Sequence, residues 1–304
     1  MAMDEITSCT YQGEIATKTT GNVGGIAGES WGDITGCRIQ DSKIAVGNSM
    51  AVGGISGYSH ETISDCTAQE VELNAQEGST VGGIAGSSYG TISGCSYQGS
   101  IQNETNSPGY SAGGIAGAVE DNSKQVLACD SDGSLTGFSG QELGGIVGSW
   151  TGDGEVSSCV NRMNITGGSA SAGIVGGQTT EGSLTIRQCR NYGKPLEALV
   201  EPAETAAEKL PEFEFSGILG YRMESLKAET SILDCYGVSD VKYPITRYTV
   251  QAEQTRKKED LVSDQDNYYF VEPENEIRVI EIDAPAPKWN WFYESFLNTN
   301  NPYA

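Results

Sequence analysis

The chain has 304 residues, of which 40 are glycine and only 8% are aromatic, and its formal net charge is -23 at pH 7. The glycines follow no Gly-X-Y period, which excludes a collagen triple helix. The negative charge argues against nucleic acid and anionic lipid as partners, because like charges repel. The sequence contains no apolar run of membrane-spanning length and no basic segment ahead of an apolar one at its start, so it predicts neither direct membrane insertion nor a signal peptide.

From its first residues onward, the chain repeats one unit of about 29 residues. Three copies are nearly identical: "VGGIAGESWGDITGC" at 23–37, "VGGISGYSHETISDC" at 52–66 and "VGGIAGSSYGTISGC" at 81–95. A β-branched residue stands three positions before every cysteine, as in Ile34 before Cys37. A spacing rule that all the cysteines obey indicates a true structural repeat. The isoleucine after the glycine pair marks each copy, at Ile26, Ile55, Ile84, Ile115, Ile146, Ile174 and Ile218.

The composition of this repeat is typical of short β-strands joined by turns. It combines β-branched residues with glycine, has no helical periodicity, and lacks the signatures of leucine-rich, tetratricopeptide and ankyrin repeats. The sequence therefore predicts an all-β fold, a parallel β-solenoid of about seven coils over residues 1–240, with successive coils about 4.8 Å apart. Ile26, Ile34, Cys37 and Ile44 should face its interior. Glycines at strand ends should permit positive φ angles and close backbone approach at the corners.

The cysteines are predicted to form a structural ladder of free thiols, one in each coil. Cysteine behaves as a small apolar side chain, and parallel side chains in register offer poor disulfide geometry. Paired disulfides are the alternative for an even number of cysteines. There is no Cys-x-x-Cys pair, and one cysteine per coil does not assemble a zinc site, so no metal and no cofactor are expected. The ladder consists of Cys9, Cys37, Cys66, Cys95, Cys129, Cys159, Cys189 and Cys235.

The repeat resembles that of the GLUG-motif family. The residues that carry the resemblance are Gly-Gly-Ile-Ala-Gly, a polar turn, Gly-x-Ile-x-x-Cys and a later Tyr-Gln-Gly-x-Ile, present at 11–15 and 97–101. The family's own pattern is Gly-Gly-Leu-Val-Gly, a polar turn and a short strand that contains glycine. The likeness covers residues 6–195 and, more weakly, 216–240; this chain differs in using isoleucine for leucine and in its regular cysteines. The resemblance implies a secreted or cell-surface bacterial solenoid, as in adhesin-like proteins and the non-catalytic parts of IgA-cleaving metallopeptidases.

Catalytic residues are not apparent, and no catalytic site is predicted. The single histidine, His60, is followed by Glu61 but by no second histidine, so a zinc peptidase motif is missing. A polysaccharide lyase or glycoside hydrolase needs carboxylates on adjacent coils. Alignment of the repeats instead places Asp33 beside Thr62 and Thr91, so no acidic column forms. The acidic segments 130–133 and 153–155 lack the other ligands of a calcium loop and are interpreted as solvated turns.

The candidate ligand-binding residues lie at one turn of the first three full repeats. Trp31, His60 and Tyr89 stand five positions after the marker isoleucine, which should align the rings along one edge of the solenoid. The preceding residues Ser30, Ser59 and Ser88 form a second column, predicted to place hydroxyls beside the rings. Rings next to hydrogen-bonding groups suit sugars or apolar side chains of a partner. The alternative is that the rings only pack against the turn; the column stops at Glu120, although Trp150 follows nearby.

Two segments depart from the repeat. Residues 195–214 interrupt it, with a short helix expected between Pro202 and Pro211. Residues 241–304 are predicted to cap the carboxyl end, with two strands in "DNYYFVEPENEIRVIEI" and an aromatic segment around Trp289 and Trp291. The repeat is already in progress at Ile6, which indicates a fragment of a longer protein with additional domains.

Together these features predict a non-enzymatic bacterial module for adhesion or ligand binding, located outside the cell or on its surface. Its partner would be a glycan or protein of the host or of a bacterial surface. The alternatives are a carbohydrate-active β-helix and a passive spacer.

Overall fold

The computed structural model describes residues 4–18, 20–48, 50–77, 80–103, 111–120, 124–137, 142–168, 170–180, 182–193, 215–222, 228–233, 235–238, 243–245, 262–264, 267–271, 278–282 and 290–293. These residues form β-strands and turns and contain no helix. The strands stack in parallel as a β-solenoid of about six turns, close to the seven that the repeats predict. The helix expected at 202–211 falls outside the described residues.

Each coil contributes to three parallel sheets, which form the walls of the solenoid. The first sheet contains the β-branched residue that precedes each cysteine, and its members pair in register, as in Ile34 with Ile63 and Ile63 with Ile92. Its eight strands are Ile6–Thr7, Ile34–Thr35, Ile63–Ser64, Ile92–Ser93, Lys124–Leu127, Gly154–Ser157, Gly182–Arg187 and Ala228–Leu233.

The second sheet follows each cysteine and contains the longest strands. Its parallel strands are Thr10–Tyr11, Glu14–Thr17, Arg38–Asn48, Thr67–Glu77, Ser96–Asn103, Asp130–Thr136, Val160–Thr166, Arg190–Asn191 and Tyr236–Val238. Four further strands continue it in antiparallel order: Asn290–Tyr293, Arg278–Ile282, Asn267–Val271 and Val262–Asp264. Two of these coincide with the strands expected after residue 265. The capping role of 241–304 stays a prediction, because the side chains there lie outside the described set.

The third sheet carries the glycine pair and receives two short strands from most coils. Its strands are Val23–Gly24, Ala27–Ser30, Ala51–Gly53, Ser56–Ser59, Thr80–Gly82, Ala85–Ser88, Ser111–Gly113, Ala116–Val119, Glu142–Gly144, Val147–Trp150, Ala170–Ala172, Val175–Gln178, Phe215–Arg222 and Tyr243–Ile245.

The interior consists of columns of equivalent apolar residues, as predicted. Ile34, Cys37 and Ile44 are buried, and so are their counterparts in later coils. Ile26 is only partly buried, whereas Ile55 and Ile84 at the same position are fully buried, since the described strands on either side of Ile26 lie at the end of the third sheet.

The second glycine of each pair allows the third sheet to approach the second sheet closely. A Cβ added to Gly83 would lie 2.2 Å from the ring of Tyr97, and one added to Gly145 would lie 2.2 Å from Cγ of Asn161. Neither glycine has a positive φ angle. A Cβ added to the first glycine, Gly82, would lie 1.9 Å from the main-chain oxygen of Ala85, so close approach explains both members of the pair.

A regular series of positive φ angles lies at the corner between the first and second sheets. The residue directly before each of the first seven cysteines is left-handed, with φ between 50° and 63°. Only two of these residues are glycine, so at this corner most coils use another residue, whereas the expected positive φ angles of glycine occur at other strand ends, as at Gly152 and Gly168. The seven residues are Ser8, Gly36, Asp65, Gly94, Ala128, Ser158 and Gln188.

A short polar ladder replaces apolar residues in the interior of the later coils. Ser131, Asn161 and Asn191 are fully buried at equivalent positions of the second sheet. The Ser131 hydroxyl lies 3.0 Å from Oδ1 of Asn161, and Nδ2 of Asn161 donates to Oδ1 of Asn191 at 2.8 Å. Asn161 Oδ1 also accepts the main-chain N–H of Met163 at 2.8 Å. These bonds offset part of the cost of burying polar groups, while Nδ2 of Asn191, at the end of the ladder, has no hydrogen-bond partner among the described residues.

Candidate functional site

The corner between the third and first sheets positions the three predicted rings. Each ring follows a strand of the third sheet, and main-chain hydrogen bonds hold the corners in register: His60 N donates to Ser30 O at 2.9 Å, and Tyr89 N donates to Ser59 O at 2.8 Å. The column continues to Glu120, whose N–H donates to Ser88 O at 2.9 Å. Trp31, His60 and Tyr89 therefore lie one above another, as the spacing predicts.

The rings contact one another mainly through their faces. Trp31 and His60 are stacked with centroids 3.5 Å apart and an interplanar angle of 13°, and His60 and Tyr89 are 6.0 Å apart at 21°. We call Trp31, His60 and Tyr89 the ring ladder. A face that is covered by the next ring is closed to a sugar, so this geometry agrees with the packing alternative for His60 and Tyr89. Trp31 remains 40% exposed.

Glu29 joins the first two rings by its carboxylate. Its Oε1 accepts a hydrogen bond from Nε1 of Trp31 at 3.0 Å and lies 3.1 Å from Nε2 of His60. A carboxylate can only accept, so Nε2 of His60 must carry a proton in this contact. The shared oxygen fixes the orientation of both rings.

A fourth ring, Tyr58, belongs to the cluster and was missed in the sequence. It lies 4.8 Å from His60 and 5.4 Å from Tyr89, tilted to both. Burial, followed by a hydrogen bond with Tyr89, raises the pKa of Tyr58. Strand alternation is the sequence feature that could have identified Tyr58, because residues 58 and 60 flank the inward Ser59 and so share the outward side.

The three serines do not stand beside the rings at the surface, and this expectation is corrected. Ser30 is 4% exposed, while Ser59 and Ser88 are fully buried. Their hydroxyls donate to the main-chain oxygens of Gly32, Glu61 and Gly90, two residues ahead, at 2.7 to 3.1 Å. The serines precede the corner and face inward, where they hold the turn.

Trp150 belongs to this inward column and not to the ring ladder. It pairs in register with Val119, the residue that follows Ser88 in the column, and is fully buried. Its Nε1 donates to Gly152 O at 3.2 Å, the same two-residue bond that the serines make. Counting four residues from Ile146 would have placed it correctly.

Two other columns supply the outward polar groups. Ile34, Ile63 and Ile92 point inward, so the residues on either side of them face outward. The first column contains Asp33, Thr62 and Thr91, and the second contains Thr35, Ser64 and Ser93. Thr35 Oγ1 lies 3.1 Å from Ser64 Oγ, and Asp33 Oδ1 accepts the N–H of Thr62 at 3.0 Å. We call these six residues the hydroxyl columns.

The cysteines form the predicted ladder at the corner that follows the first sheet. All eight are free thiols, and all but Cys9 are buried. The thiol of Cys66 lies 3.2 Å from Ser64 O and 3.7 Å from Ile34 O. Hydrogen bonding to the next thiol, together with burial, raises the pKa of Cys66 and of Cys129. A raised pKa opposes the reactive thiolate, so this ladder is suited to packing.

The acidic segments do not gather into a cation site. Asp130 lies in a strand and not in a turn, with Oδ1 2.6 Å from NH1 of Arg162. Asp153 Oδ1 accepts hydrogen bonds from N and Oγ of Ser183 at 2.7 and 3.2 Å. Within the described ranges, no group of three histidine, cysteine or acidic residues could hold a metal ion.

The site and fold define this chain as a parallel β-solenoid with a ring-edged outward face. Comparison with protein-family models, with curated proteins and with solved structures finds no match. The part of the chain that the structure describes has no helix of a length and polarity suited to crossing a bilayer.

Proposed function

We propose that this chain is a non-enzymatic binding module whose ligand lies on the outward face made by the hydroxyl columns and Trp31. The observation that carries the proposal is the register of Asp33, Thr62 and Thr91 beside Thr35, Ser64 and Ser93. Side chains held on paired strands are already ordered, so little conformational entropy is lost when a ligand binds.

The chemistry of this face favours a carbohydrate partner. Hydroxyls both donate and accept hydrogen bonds, which matches the hydroxyls of a sugar. The exposed indole of Trp31 adds a flat apolar surface at the edge of the same face. The resemblance to GLUG repeats supports a bacterial, extracellular or cell-surface setting, with a host or bacterial glycan as partner.

A polysaccharide-degrading enzyme is the second candidate function, and a passive spacer is the third. Within the repeats 23–37, 52–66 and 81–95, none of the carboxylates at this face, Glu29, Asp33, Glu61 and Asp65, has an acidic residue at the equivalent position of an adjacent repeat, whereas glycoside hydrolysis uses a pair of carboxylates across the bond to be cleaved. This favours binding without cleavage. The passive spacer requires no outward recognition and would leave the ordered columns without a role.

A glycan array with the released sugars measured on the same samples tests the proposal. We expect binding without product, weakened at least tenfold by Trp31→Ala or by Thr62→Ala with Ser64→Ala. The matched control is Gln98→Ala, an exposed change on the second sheet, which should leave binding unaltered. Product release would support the enzyme, and the absence of both binding and product would support the spacer.

A further inference from the structure

We infer that the ligand of this face is an uncharged, linear polysaccharide that lies along the solenoid axis, an inference that rests on the proposed function. The outward face repeats from coil to coil, and its polar groups carry acidic charge without basic charge. The repetition determines the direction in which a ligand lies, and the acidic charge determines which ligand charge is favoured.

The direction follows from the register of the first three coils. Residues 31, 33 and 35 of the first coil have equivalents at 60, 62 and 64 and again at 89, 91 and 93. Two outward polar positions therefore return in each coil at intervals of about 4.8 Å along the axis, and Trp31 adds an exposed ring at the first coil. A polymer that runs along the axis can form equivalent contacts in each coil, whereas a compact ligand would use one coil only.

The extent of the face is limited by the fourth coil. Ser93 pairs with Leu127, which removes the hydroxyl from the second column, and Glu120 follows Tyr89 at the corner. The columns from Asp33 and Thr35 to Thr91 and Ser93 thus span about 10 Å, and Thr7, which pairs with Thr35, adds one hydroxyl before the first coil. A short oligosaccharide is long enough to cover this extent.

The charge of the ligand follows from the residues around the columns. Glu29, Asp33, Glu61 and Asp65 lie on or beside the face and are exposed. Residues 29–37, 58–66 and 87–95 contain no lysine or arginine. The chain as a whole is also acidic, so a polymer of uronic acids or sulfated sugars would be repelled. A neutral polymer meets no such penalty.

The inference is tested by titration calorimetry with a length series of neutral β-1,4-linked oligosaccharides, of glucose and of N-acetylglucosamine, from the disaccharide upward. We expect the affinity for one series to rise about tenfold or more with length and then to level off once the ligand spans three coils. Carboxymethylated cellulose, a polyanion on one of the same backbones, should bind more weakly than the neutral chain.

Variants of the middle and third coils separate axial binding from recognition of a chain end. Thr62→Ala and Thr91→Ala should each reduce the gain in affinity with length, whereas Gln98→Ala on the second sheet should not. Equal affinity for short and long oligosaccharides, or tighter binding of the polyanion, would overturn the inference and leave a binding module of another specificity. If neither neutral series nor any other glycan bound, the inference and the proposed function would both fail.

Discussion

Cysteine serves this fold as a small apolar residue at one corner of every coil. Each buried thiol lies against a carbonyl oxygen two residues back and another in the preceding coil, as Cys159 does with Ser157 and Val126. Cys9 occupies the same position but is exposed, because no described coil lies beneath it. Position in the stack therefore sets the accessibility of each thiol.

The thiols should differ in reactivity according to this position. In the native protein we expect one thiol, Cys9, to react rapidly with a disulfide reagent, and the seven buried thiols to react only as the chain unfolds. The release of chromophore with and without urea measures both classes, and Cys9→Ser should remove the fast phase alone. Several fast thiols, or fewer than eight after unfolding, would contradict the free-thiol ladder.

Stability should fall at alkaline pH. Burial raises the pKa of Cys159 and Cys189, and hydrogen bonding to the next thiol with burial raises that of Cys66 and Cys129. An unfolded thiol ionises near about pH 8.5, so the stabilisation is complete below that pH and is lost as the pH rises toward the folded pKa values. We expect a lower Tm at about pH 9.5 than at about pH 7. Cys129→Ala should reduce the difference in Tm between the two pH values. An equal Tm at both pH values would contradict the expectation that thiol ionisation destabilises the fold.

Two tryptophans on opposite sides of the wall should differ in their contribution to stability. Trp150 is fully buried, and Trp150→Ala should lower the free energy of unfolding by about 3–5 kcal/mol. Trp31 is 40% exposed and stacks on His60, so Trp31→Ala should cost about 1 kcal/mol. Urea unfolding of both variants measures the contrast. Equal losses would mean that Trp31 belongs to the core, which would remove it from the binding face.

At the scale of the element, the corner before each cysteine depends on a backbone conformation that most residues disfavour. A left-handed L-residue costs about 1–2 kcal/mol, and five of the seven described corner positions pay it without glycine. The hydrogen-bonded coils on either side keep the corner in place. The left-handed conformation therefore recurs at this corner although the residues that adopt it are of different types.

Glycine at such a corner should increase stability. Ala128, with φ of 50°, is exposed, and Ala128→Gly should raise the free energy of unfolding by about 0.5–1 kcal/mol by removing the steric conflict. Ala45 lies within the strand Arg38–Asn48, and the matched Ala45→Gly should lower it by a similar amount. Chemical denaturation compares the two. A loss in both variants would show that the corner stores no strain.

At the scale of the whole molecule, stability accumulates coil by coil. Each coil packs only against its neighbours, so an inner coil is covered on two sides. Ile84 and Ile26 occupy the same position, yet Ile84 is fully buried and Ile26 is not. The described end of the stack should therefore open before its middle.

Hydrogen exchange measures this gradient. We expect the amides of Thr10–Tyr11, at the described end of the stack, to exchange fastest and those of Ser96–Asn103, inside the stack, to exchange much more slowly. Ile84→Ala should lower the free energy of unfolding by about 2–5 kcal/mol, and Ile26→Ala by less. Uniform protection along the stack would indicate that the solenoid opens only as a whole.

The sequence by itself determined the β-solenoid, its period and its inward columns, because stacking in register repeats the same environment at the same position of each coil. Ile34, Cys37 and Ile44 could be assigned for that reason. Tertiary structure alone decided how the chain turns its corners. Ser30 faces inward and its neighbour Trp31 faces outward. The direction of a side chain at this corner depends on the residue at which the chain turns, which the repeat spacing does not specify. Hence the serines and Trp150 proved to be interior, while Thr62 and Ser64 became the polar groups of the face.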